Sequence, residues 1–122
     1  MDITQEIARM KRDPEFAANV GMILVHNGVV RAWSRGDRGD VAAVEVSADL
    51  AEVERLRAEY ERRPGIWRVA VEARSGRLLP GDDLLFIAVA GDIRENVKPV
   101  LAELLDRIKA EAISKVEIGP EG

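Results

Sequence analysis

Three groups of residues in this chain have types and spacings suited to chemistry. The first is cationic. Arg94, Lys98 and Lys109 fall within about 60° of one another at 100° per residue, along one border of an apolar helical stripe. Fixed positive charge in such a row suits an anionic ligand. The ordinary alternative is a packed stem with its charged head in water. Arg31, Arg35 and Arg38, in and after the first strand, can extend the row. The second group is His26, the only histidine, set among apolar residues where a structural role is commoner than a catalytic one. The third is Asp82-Asp83 after Pro80-Gly81, which reads as turn chemistry because adjacent turn residues point in different directions.

Much else is excluded. Cysteine is absent, which removes disulfides, thiolate metal sites and thiol nucleophiles, and a single histidine excludes a multi-histidine metal site. No G-x-x-x-x-G-K-[ST] or G-x-G-x-x-G pattern supports a phosphate loop. The net charge of −4 argues against a nucleic-acid partner. No apolar run approaches the ~20 residues that cross a bilayer, so no membrane role is expected. At 122 residues, 47% of them hydrophobic, the chain suits a single domain over residues 1–122 with one core. The acidic N-terminus lacks a signal-peptide layout, and a soluble cytoplasmic domain is the default expectation.

The elements that must position these groups are mixed. Ile3, Ile7 and Met10 predict a short opening helix, with Thr4 available as its cap and Asp13-Pro14 as its stop. Residues 21–31 are rich in β-branched types. Asn27-Gly28 there suits either a tight hairpin or a glycine bulge in one long strand. Residues 34–40 form a loop, and Val41–Val46 a strand. Leu50, Val53, Leu56 and Tyr60 share a face of a helix over 48–62 that Pro64-Gly65 ends. The many charges of that helix, spaced by three and four, read as a solvated face. Trp67–Val71 alternates like a half-buried strand, Arg77-Leu78-Leu79 is a very short segment, and Leu84–Ala90 is apolar enough to be central and covered twice. A long helix follows over about 93–112, its stripe running from Ile93 through Val97, Val100, Leu101, Leu104, Leu105 and Ile108 to Ala112. Pro99 sits inside it, as a kink or the mark of a later start. Ile113–Ile118 can form a last strand. The fold class is α+β, a mostly antiparallel sheet packed with helices.

Within residues 20–118 the order of motifs resembles the large, catalytic subunit of molybdopterin synthase. A strand leads into an Arg-x-Gly-x-Leu-x-x-Gly turn at Arg74, Gly76, Leu78 and Gly81, then an apolar strand, then a short turn whose Arg94 opens the long helix. Lys109 at the helix end, Lys115 on the next strand and Gly28-Val29-Val30-Arg31 near the start complete the likeness. The family's usual His before that arginine is Ile93 here, and its Arg-Asn-His-Asn stretch is Arg31-Ala32-Trp33-Ser34.

The resemblance implies an α/β hammerhead-like fold and a homodimer. It also implies a small ubiquitin-like sulfur-carrier partner ending in Gly-Gly, which makes the assembly a heterotetramer. The implied reaction moves sulfur from the carrier's thiocarboxylate to cyclic pyranopterin monophosphate. That pterin is a substrate, and no resident cofactor or metal is implied. Lys109 and Lys115 are then the expected catalytic residues, with Arg31 and Arg94, and less directly Arg35 and Arg38, binding substrate. The chemistry suits them: an arginine fork matches phosphate, and a lysine desolvated beside other cations exchanges protons near neutral pH. The alternative is a non-catalytic homologue that binds the carrier without pterin chemistry, favoured by Ile93. A further alternative is a dimerisation domain without ligand.

Overall fold

The computed structural model describes residues 2–37 and 39–120. The chain runs α1 (Ile3–Arg12), α2 (Phe16–Asn19), β1 (Met22–Val29), β2 (Ala43–Ala48) and α3 (Leu50–Glu61). It continues through β3 (Ile66–Ala73), β4 (Gly76–Leu78), β5 (Asp83–Gly91), α4 (Arg94–Glu111) and β6 (Ile113–Ile118). The strands form two three-stranded sheets, β1-β5-β3 and β4-β2-β6. Every pairing within them is antiparallel.

β5 is the centre of the first sheet, and its alternation builds two cores. Leu85, Ile87 and Val89 face α3 and α4, where Val53, Leu56, Tyr60, Val97, Val100, Leu104 and Ile108 are buried with them. Phe86, Ala88 and Ala90 face the other way, against Met10 of α1 and Phe16, the first residue of α2. An all-apolar strand is thus covered on both faces, as its composition required. Phe16 meets Trp67 of β3 edge-on at 5.7 Å, which anchors the N-terminal helices to that face. The second sheet keeps a smaller core of Val30, Val41, Val44, Val46 and Leu78.

The departures from expectation are local. Asp2, not Thr4, caps α1 by accepting from the Gln5 amide, because the helix begins two residues earlier than a Thr4 cap allows. α2 is a single turn that no periodicity announced. Asn27-Gly28 is no hairpin: β1 continues, and its register against β5 shifts between Gly28 and Val29, which is the bulge. Leu50 and Ile93 are exposed rather than part of their stripes, since each stands at a helix start where the packed face has not begun. Pro99 lies well inside α4 on its exposed side, so it marks no late start.

Candidate functional site

A cavity of about 510 Å³ opens where the two sheets meet the end of α4. One wall is the end of β1 and the start of β5, with His26, Gly28, Leu84 and Leu85. The facing wall is Lys109 of α4 with Ile113, Lys115 and Glu117 of β6, and the rim is Arg31, Ser34, Arg35 and Gly36. Lys109 and Lys115 converge because α4 ends at Glu111 and β6 begins at Ile113. The chain therefore reverses with a single linking residue. Strand alternation then places Ile113, Lys115 and Glu117 on one side of the pleat.

The rim is held by its own backbone. The Ser34 amide donates to the Gly39 carbonyl at 2.7 Å and the Val41 amide to the Ala32 carbonyl at 3.0 Å, closing a small hairpin. Trp33 bridges to Asp40 inside it. Arg31 stacks its guanidinium on the Trp33 ring at 4.6 Å, and Ser34 Oγ donates to Glu117 Oε1 at 2.9 Å, latching the rim to β6. Arg35 therefore stands on a rim that backbone bonds already hold.

Four cations, Lys109, Lys115, Arg31 and Arg35, thus share one cavity with one carboxylate, Glu117. Among the described residues none of the four is in an ion pair, and Glu117 is engaged by Ser34 rather than by Lys115. Elsewhere the charges behave as a solvated face should. Arg57 is bound by Glu54 and Glu61, Arg55 by Glu52, and Arg107 by Glu59 and Glu111. Four cations without an ion pair among the described residues thus border the cavity where a ligand fits.

His26 lies in the same wall and was not expected there as a functional group. Burial first, and then the charge of Lys109, pull its pKa below the ordinary histidine value, so the ring is held neutral. The sequence signal that places it is β1's alternation. His26 shares its face with Leu24 and Gly28, and Leu24 packs on the α4 side.

Arg94 does not join this cluster within one chain. It starts α4, and Lys109 lies four turns on, roughly 22 Å at 1.5 Å per residue. Arg94 is 76% exposed, beside Glu95 at 3.3 Å, in a shallow surface hollow with Gly21, Met22 and Asp92. Lys98 is exposed on the same helix. The shared angular border was real, but the length of the helix separates its ends. Arg38 lies outside the described residues.

Comparison with known proteins agrees with this geometry. The chain has a TM-score of 0.80 to the molybdopterin synthase structure from Staphylococcus aureus, at 23% identity over 100% of this chain and 88% of that one. It has a TM-score of 0.75 to the molybdopterin biosynthesis MoaE protein of Burkholderia ambifaria MC40-6, at 31% identity over 100% and 80%. It also matches a complex of subunits 1 and 2 of the molybdopterin-converting factor of Helicobacter pylori 26695, with a TM-score of 0.70 and 17% identity over 99% and 82%. No curated protein matches by sequence. The family model described as MoaE protein matches residues 1–111, and the chain belongs to that family.

Proposed function

We propose that this protein is the catalytic subunit of a molybdopterin synthase, transferring sulfur from a thiocarboxylated carrier protein to cyclic pyranopterin monophosphate. Family membership supports the reaction class, and the observation that carries the site is the convergence of Lys109, Lys115 and Arg31 on one cavity without a neutralising ion pair. Both reactants are anions, a phosphate ester and a thiocarboxylate, and such a cavity attracts both. The sulfur arrives on the partner, so the lack of cysteine is no obstacle.

Chemically, the carrier's sulfur, still acylated, bonds to a side-chain carbon of the pterin as the C–O bond at that carbon breaks. The oxygen leaves as a phosphate oxygen or as water. Water then adds to the acyl carbon, the C–S bond breaks, and the carrier leaves as a carboxylate. The tetrahedral centre carries negative charge that Lys109 stabilises, and Lys115 moves protons beside it. Arg31, pre-set by its stack on Trp33, holds the phosphate, with Arg35 adding charge from the rim. Two such transfers give the dithiolene.

The carrier is a small ubiquitin-like protein whose Gly-Gly tail is narrow enough to enter the cavity. The Helicobacter complex of two subunits supports such a pairing. The working assembly is a homodimer with one carrier on each protomer, placed in the cytoplasm. Among the described residues no helix is long and apolar enough to cross a membrane. Mixing the purified protein with thiocarboxylated carrier and cyclic pyranopterin monophosphate should yield molybdopterin. No product under conditions where an authentic synthase works would overturn the enzyme reading.

A further inference from the structure

His26 is a polar residue without a polar partner. Its Nε2 exposes less than 1 Å² and has no hydrogen-bond partner among the described residues. Leaving such an atom unsatisfied is costly, and each case in a native structure calls for an explanation. An apolar side chain would fill this place on β1 without that cost. The ring instead lies over Gly28, where a Cβ would come within 2.9 Å of Nε2. Among the described residues no hydrogen bond anchors the ring, so none must break for it to turn from Gly28 into the cavity that both residues line.

The charged groups around it have other work. Lys109, Lys115, Arg31 and Arg35 answer to the anionic parts of a ligand, and Glu117 is held by Ser34. None of them matches an uncharged heterocycle, whose ring nitrogens and exocyclic groups need one donor or acceptor at a time. A neutral imidazole offers one of each. Burial and Lys109 keep His26 in that form. We propose that His26 is a further substrate-binding residue, giving an imidazole hydrogen bond to the heterocycle of the substrate whose anionic group the cations hold. The inference rests on the pterin reading of the cavity given above.

Because His26 is the only histidine, its imidazole nitrogen resonances are unambiguous. Cyclic pyranopterin monophosphate should shift them at saturation, whereas inorganic phosphate, which engages only the cations, should leave them in place. His26→Leu should weaken pterin binding about tenfold with phosphate affinity unchanged, and His26→Gln should recover part of the loss. Unmoved resonances at saturating pterin, or parental pterin affinity in His26→Leu, would overturn the assignment. Should His26→Leu not fold, the resonances of the parent protein decide. Pterin that binds the parent and is lost in Arg31→Ala but not in His26→Leu removes His26 alone. Pterin that fails to bind the parent removes the reading of the cavity and this inference with it.

Discussion

Lys109 can act on an acyl centre only if its ammonium is free of carboxylates, and Arg107, two residues earlier, shows the contrary case, gripped by Glu59 and Glu111. Lys109→Ala should therefore lower sulfur transfer by about 10²–10⁴ while carrier binding survives, with Lys115→Ala impaired less completely. Single-turnover assays beside a carrier-binding titration separate the two effects. Neither change should cost more than about 1 kcal/mol of stability, since no ion pair is lost. His26 carries a signature of its own in stability against pH. Its folded pKa lies below the unfolded value of about 6.5, so the unfolded chain takes up a proton that the folded one resists. Its neutral form costs nothing above about pH 6.5, and stability falls as pH drops below that value toward the folded pKa. Asp13, Asp92, Glu54 and Glu111 also lose stabilising contacts in acid, but equally in a variant. Denaturant melts of the parent should thus lose ground to His26→Gln as pH falls below about 6.5, and parallel curves would show no burial of the ring. Family likeness singled out Lys109 and Lys115, which the fold brings to one cavity. A lone histidine was not legible in the sequence, because only the bulged continuation of β1, instead of a hairpin, fixes which way it faces.

At the scale of elements, local signals worked where one residue type dominates a segment. β5 announced itself by composition, β6 by its β-branched run, and the end of α1 by Pro14. They failed where a choice depends on a distant partner. Asn27-Gly28 suits a hairpin turn, yet β1 has β5 beside it from Met22 to Val29, and that long ladder outweighs the turn. The border of cations on α4 was correct in angle, but angle carries no information about axial distance. The turn from β5 into α4 was legible as a turn with Arg94 at its end, but its tight build was not. Asp92 Oδ1 accepts from the Ile93 amide at 2.6 Å and from Asn96 Nδ2 at 2.9 Å, capping a helix whose N-cap Ile93 cannot. Gly65 packs against that cap with φ of +81°, and a Cβ there would sit 2.3 Å from Asn96 Nδ2 and 2.5 Å from Asp92 Oδ1. Gly65→Ala should lose about 1–3 kcal/mol from the backbone conformation alone, and more from the displaced cap. Urea titration reads it as a lower midpoint at unchanged slope, and a midpoint equal to the parent's would mean the turn relaxes freely. At the rim, Trp33→Ala should free Arg31 and raise KM for the pterin more than it lowers kcat, because the stack orients a binding group rather than a reacting one.

At the scale of the whole molecule, Arg94 poses a geometric question that one chain does not answer. It stands exposed beside the exposed Ile93, at the end of α4 remote from Lys109. If Arg94 binds the phosphate, it does so in the cavity of a second copy. A two-fold dimer makes that arrangement reciprocal, each protomer lending its Arg94 to the other. Light scattering should then give about twice 13.4 kDa at micromolar concentration. The decisive experiment mixes two inactive variants, Arg94→Ala and Lys109→Ala, and lets subunits exchange. In a mixed dimer one cavity loses both residues, while the other keeps Lys109 from one chain and Arg94 from its partner. Half of randomly mixed dimers are of this kind with one working cavity each, so activity should return to about a quarter of the parental value. If both residues served the same cavity from a single chain, every cavity in the mixture would lack one of them and activity would stay at the level of the variants. Recovery therefore reports shared sites directly, without needing a structure of the dimer. An Arg94→Ala homodimer as active as the parent would instead leave Arg94 a surface residue paired with Glu95, and the phosphate to Arg31 and the rim.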